Sequence, residues 1–98
     1  MRLSEFEKRI IKNAAKDIFG EDTEVFIFGS RVDDTRKGGD IDIYLKCLNE
    51  ENILDKKIRY LIKLENSLGE QRIDVVINDR KDNFKPIFQI AEATGIRL

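Results

Sequence analysis

A chain of 98 residues with 41% hydrophobic content fits one compact domain near the commonest size. Such a chain buries roughly two-thirds of its unfolded surface, enough for one core and not for a second catalytic or helical domain. Charged residues make up 38%, yet the signs nearly cancel at −1, and there is no histidine. The balance argues against nucleic acid as the main partner, which would call for a net basic footprint, and the missing imidazoles exclude histidine-based zinc sites and acid–base catalysis.

In chain order, Ser4 and Glu7 form a capping box at a helix start. Phe6, Ile10, Ile11, Ala14, Ile18 and Phe19 then recur with helical period until Gly20 provides a stop. Val25-Phe26-Ile27-Phe28 is a continuous apolar run, the mark of a strand buried on both faces. A polar loop follows from Gly29 to Gly39, and the second strand, Asp40 to Leu45, alternates. Asp40, Asp42 and Tyr44 share one face; Ile41, Ile43 and Leu45 share the other. Asn49 is the expected cap of a long amphipathic helix with Ile53, Leu54, Ile58, Leu61, Ile62, Leu64 and Leu68 on its apolar face. Gly69 ends it. The third strand, Arg72 to Asn78, sets Asp74 and Val76 against Ile73, Val75 and Ile77. A last helix is predicted from about Asn83 to Thr94, with Pro86 in its first turn and Gly95 after it, and Ile96-Arg97-Leu98 as a short extended tail. The expected fold class is α/β in the α+β sense: a small mixed sheet with helices packed against it, forming a single domain over residues 1–98.

Two features carry chemistry. Glycine at 29 lets backbone approach a phosphate closely and adopt positive φ. Successive amides in such a turn form an anion nest, to which Ser30 adds a hydroxyl. Arg31, and later Arg36 and Lys37, are cations able to offset a triphosphate. Gly-Ser is also a common turn dipeptide, so the turn alone leaves plain chain punctuation open. The second feature is Asp40-Ile41-Asp42 with Asp74. Residues two apart on a strand lie roughly 6.5–7 Å apart on one face. Carboxylates at that spacing can converge on two metals about 3.5–4 Å apart, the arrangement for in-line displacement at phosphorus. Magnesium suits such oxygen donors. Asp74 would complete the set and hold the metal that activates the attacking hydroxyl. The competing reading is a solvated sheet face. Against it, aspartate disfavours strands, and like charges on one face are destabilising without a counter-ion. An EF-hand loop is excluded, because Tyr44 and Leu45 stand where that pattern needs Asp or Asn and then Gly.

Gly29-Ser30, the nine-residue spacer, Asp40-Ile41-Asp42, and Asp74 in Arg72-Ile73-Asp74-Val75-Val76 together resemble the DNA polymerase beta superfamily of nucleotidyltransferases. More narrowly, the chain resembles the minimal nucleotidyltransferases over nearly its whole length. The resemblance implies a palm-like catalytic fold, ATP or another nucleoside triphosphate as substrate, two Mg2+ ions, and NMP transfer with release of pyrophosphate. Gly29 and Ser30 would hold the β and γ phosphates, Asp40 and Asp42 would bind metal, and Asp74 would be the third carboxylate. Arg31 joins the nucleotide site from its charge and position, not from the family motif. Relatives of this kind commonly act as antitoxins of HEPN-domain ribonuclease toxins, which implies AMP transfer from ATP to a tyrosine hydroxyl of the toxin.

Two other functions remain open: an antitoxin that neutralises its partner by contact alone, and transfer to a small molecule such as an aminoglycoside. Relatives of the latter kind carry a second domain or dimerise to enclose the acceptor. Tyr44 either packs or stacks on a base, Tyr60 is expected at a surface or interface, and Phe26, Phe28, Phe84 and Phe88 are expected in the core. The lone Cys47 cannot form an internal disulfide and reads as a small apolar residue. With no signal-peptide pattern at the N-terminus, it gives the expectation of a cytoplasmic protein without membrane spans.

Overall fold

Helix α1 (Glu5–Phe19) begins where the Ser4 hydroxyl accepts from the Glu7 amide and the Glu7 carboxylate accepts from the Ser4 amide, each at 3.1 Å. In this computed structural model, which describes residues 3–29, 40–47, 51–69, 72–79 and 85–98, there follow β1 (Glu24–Phe28), β2 (Asp40–Lys46), α2 (Ile53–Leu68), β3 (Arg72–Asn78), α3 (Pro86–Thr94) and β4 (Ile96–Arg97). The strands form one sheet in the order β3-β2-β1-β4. β2 runs antiparallel to β1 and parallel to β3, and β4 is antiparallel to β1, so the sheet is mixed. The parallel pair requires a crossover, and α2 supplies it. The expected α+β architecture is the one observed.

Strand alternation divides the core in two. Val25, Ile27, Ile41, Ile43, Leu45 and Val75 face α1 and α2 and pack on Ile11, Ala15, Phe19 and Leu64. Phe28 and Tyr44 face the other way, against Phe88 and Ala91 of α3. The C-terminal segment does more than extend: β4 pairs with β1, and the Leu98 amide donates to the Val25 carbonyl at 2.8 Å. No described helix is long and apolar enough to cross a membrane.

Three expectations need correction. Phe6 is exposed and stands outside the packed stripe of α1. α2 starts at Ile53 after Asn52, which sits at φ 57° and makes no side-chain cap bond; Asn49 lies outside the described residues. The buried face of α2 also differs from the expected one. Tyr60 is fully buried, whereas Leu54, Ile58 and Ile62 are 72%, 48% and 53% exposed. The helix carries two apolar stripes, and only one can meet the sheet. Burying Tyr60 is possible because its hydroxyl donates to the Ile11 carbonyl at 2.9 Å, and its ring meets Phe19 edge-on at 5.8 Å. α3 begins at Pro86, with proline in its first turn as expected; residues 83 and 84 are outside the described set.

Candidate functional site

The apolar half-sequences of β1, β2 and β3 fix the pairing, because a one-residue slip would turn every core side chain to the wrong face. In that register Phe28 opposes Asp42 across the antiparallel pair, and Asp42 stands directly beside Asp74 across the parallel pair. Neighbouring strands lie about 4.8 Å apart, so Asp42 and Asp74 are adjacent on one sheet face. Asp42 is half-buried and Asp74 exposed. Asp40 opens β2 in register with Arg72; its side chain lies outside the described residues.

Phe28 is the last residue of β1, so the chain leaves the sheet at Gly29, immediately next to Asp42. Gly29 has φ 75°, and a Cβ on it would run into the Asp42 carboxylate. The position excludes a side chain twice over, once by backbone angle and once by contact. The start of the Gly-Ser turn and the carboxylates are therefore parts of one locality. Ser30, Arg31, Arg36 and Lys37 lie outside the described residues.

Two carboxylates side by side repel unless a cation is shared. Their oxygens suit a hard divalent ion that keeps several ligands from water or phosphate, so the donor set fits magnesium. Among the described residues no group of three or more Asp, Glu, Cys or His side chains gathers into a metal site. The described contribution to such a site is thus the Asp42–Asp74 pair.

Two residues beyond Asp42 on the same face, Tyr44 is fully buried, its ring tilted between Phe26 and Phe88 at 5.5 and 5.6 Å. Its hydroxyl donates to Glu92 Oε2 at 2.9 Å and accepts from Asn78 Nδ2 at 3.0 Å. Burial first, and the Glu92 carboxylate after it, push the Tyr44 hydroxyl up to about 12 against the lowering effect of Asn78. Tyr44 is a neutral structural donor, with no ring face left for a base. Lys46 Nζ meets Glu92 Oε1 at 3.0 Å. Glu92, Asn78 and Lys46 thus tie α3 to β2 and β3 beside the carboxylates. The sequence gives no sign of this bracket, since Tyr44 and Glu92 are 48 residues apart. Cys47 is buried near Asn78, whose carbonyl it approaches at 3.7 Å, in keeping with a small packed residue.

Residues 8–96 match the family described as Nucleotidyltransferase domain. No individual curated protein matches the chain.

Proposed function

Since the chain belongs to the nucleotidyltransferase domain family, we propose that it is a minimal nucleotidyltransferase of the DNA polymerase beta type that moves AMP from ATP to a hydroxyl of a partner protein. The observation that carries this reading is the Asp42–Asp74 pair, with Gly29 held against Asp42 by its missing side chain.

On this reading Asp40, Asp42 and Asp74 are the catalytic carboxylates and the ligands of two Mg2+ ions, while Gly29, Ser30 and Arg31 hold the nucleotide. Bound magnesium would offset phosphate charge and lower the pKa of an attacking hydroxyl. The chain's own residues do the positioning. The Gly29 turn brings backbone amides to the β and γ phosphates, and Asp74, at the exposed end of the pair, faces the incoming acceptor. The acceptor oxygen bonds to the α phosphorus, the bond to the bridging oxygen breaks, pyrophosphate departs, and the hydroxyl proton passes to Asp74. Orientation is the main contribution of such a site.

The proposed acceptor is a tyrosine of a HEPN-domain ribonuclease toxin, which makes this single domain a cytoplasmic antitoxin. Two facts support a protein acceptor. The near-neutral charge lacks the net basic footprint a nucleic-acid acceptor would call for, and Asp74 lies on an outer strand, where a partner can supply the opposite wall. Incubation with α-labelled ATP, magnesium and the HEPN partner should label the partner and raise its mass by whole AMP units. An unlabelled partner of unchanged mass would sink the proposal. The exposed Leu54, Ile58 and Ile62 favour a second reading, neutralisation by contact alone. Protection that survives replacement of Asp40, Asp42 and Asp74 together would select it.

A further inference from the structure

β3 is the outer strand on the side of the sheet away from β4. The Asn78 carbonyl accepts from the Cys47 amide at 2.9 Å on the β2 side. Backbone groups alternate along a strand, so Arg72, Asp74, Val76 and Asn78 direct theirs to β2, and Ile73, Val75 and Ile77 direct theirs outward. Among the described residues this edge is unpaired, and its Val75–Ile77 stretch lies in a groove of about 540 Å3 bounded by Leu54 and Lys57 of α2 and by Lys85, Ile87 and Phe88 at the start of α3, with Asp74 just beyond its end. Leu54 and Ile87 are both exposed.

We propose that this groove receives an extended segment of the acceptor protein as an added strand, which sets a hydroxyl side chain beside Asp74. The docking follows from the edge and the groove; the chemistry at the end of it rests on the nucleotidyl-transfer reading above. A strand paired with β3 places its alternate side chains opposite Asp74 and Val76, with facing Cβ atoms about 4.5–5.5 Å apart. The residue opposite Asp74 is the acceptor. Its oxygen forms the bond to the α phosphorus of ATP, pyrophosphate leaves, and its proton goes to Asp74. The next residue on that face meets Val76 and Phe88 and must be apolar. Residues on the other face meet Ile77 and Leu54 and must be apolar too.

Charge decides the occupant further. Among the described residues the groove is lined by two lysines and no carboxylate, which fits a segment with acidic residues at its ends. A second copy of this chain fits worse. The self-pairing that sets Ile73 against Ile77 turns about Val75 and leaves Asp74 diagonal to its own copy at about 7–8 Å. It also turns lysine toward lysine.

The probe is a short capped peptide of alternating valine and isoleucine with one tyrosine and a glutamate at each end. Without ATP or magnesium, it should shift the amide resonances of Ile73, Val75 and Ile77 and protect them from exchange. N-methylation of the peptide amides that face β3 should abolish binding, and methylation of the intervening amides should not. Lysine in place of both glutamates, or the Leu54→Lys and Ile87→Lys pair in the protein, should weaken binding at least about tenfold. With ATP and magnesium the tyrosine should acquire AMP. Binding without transfer upholds the groove and overturns the chemical reading. Absence of shifts at β3, indifference to N-methylation, or self-association through β3 would each overturn the docking proposal.

Discussion

The two faces of the sheet are built to different ends. Beneath α1 and α2, Ile27, Ile41, Ile43 and Leu45 are fully buried, and the Tyr60 hydroxyl among them is satisfied by the Ile11 carbonyl. Every position on that face contributes to burial. The opposite face is divided along its strands. Where α3 lies across it, Phe28 and Tyr44 pack against Phe88 and Ala91. Toward the start of β2 and β3 the same face carries Asp42 and Asp74 side by side. The packed face and the α3 half hold in place the strands that carry this pair, which occupies strand positions that aspartate disfavours.

Substitutions can break or sharpen this contrast. The largest loss is expected on the packed face. Tyr60→Ala removes a buried ring and its hydrogen bond, and should cost about 3–5 kcal/mol by denaturant unfolding. On the carboxylate half, Gly29→Ala forces a positive φ on a side chain that collides with Asp42. About 1–3 kcal/mol of strain follows, and nucleotide transfer should fall with it, read as a joint drop in unfolding midpoint and turnover. Tyr44→Phe takes the acceptor from Asn78 and the donor from Glu92, for about 1–2 kcal/mol.

Alkaline titration separates Tyr44 from the unfolded chain. Its folded value, about 12, stands above the unfolded one of about 10. Its contribution is therefore complete below pH about 10 and lost as pH rises toward 12. Unfolding midpoints across that window should fall less steeply in Tyr44→Phe than in the wild type. The smallest effect is expected at Ile58, which is half-exposed on the outer side of α2. Ile58→Lys should change stability by no more than about 0.5 kcal/mol, and a larger loss would place that stripe in the core after all.

The sequence made the strands legible through alternation, and alternation placed Asp42 and Asp74 on definite faces. It could not give the register that sets them side by side, because pairing depends on contacts between segments 32 residues apart. Gly29 was legible as a turn; the proximity of the Asp42 carboxylate that forbids a side chain there was not. In α2, Tyr60 and the Leu54–Ile58–Ile62 series both satisfy helical period, so periodicity alone could not choose the buried face. A hydrogen-bond partner in α1 decided it. The Tyr44–Glu92–Asn78 bracket joins residues from β2, α3 and β3, and no local pattern announces such a long-range network. Ile96 and Arg97 read as an extended tail, since nothing in three residues specifies the strand they pair with.

Adjacent carboxylates from two parallel strands working on one nucleotide are the core of the proposed reaction. Its most direct test is the rate of pyrophosphate release from ATP, in the presence of magnesium and the acceptor protein, for the wild type against Asp42→Asn and Asp74→Asn. The circular dichroism and unfolding midpoint of each variant should match the wild type. A fall on the order of a hundredfold to a thousandfold is expected for either variant, with the double variant little worse than the singles because the two side chains act as one unit. Turnover within a few-fold of wild type in the Asp74→Asn protein would contradict it.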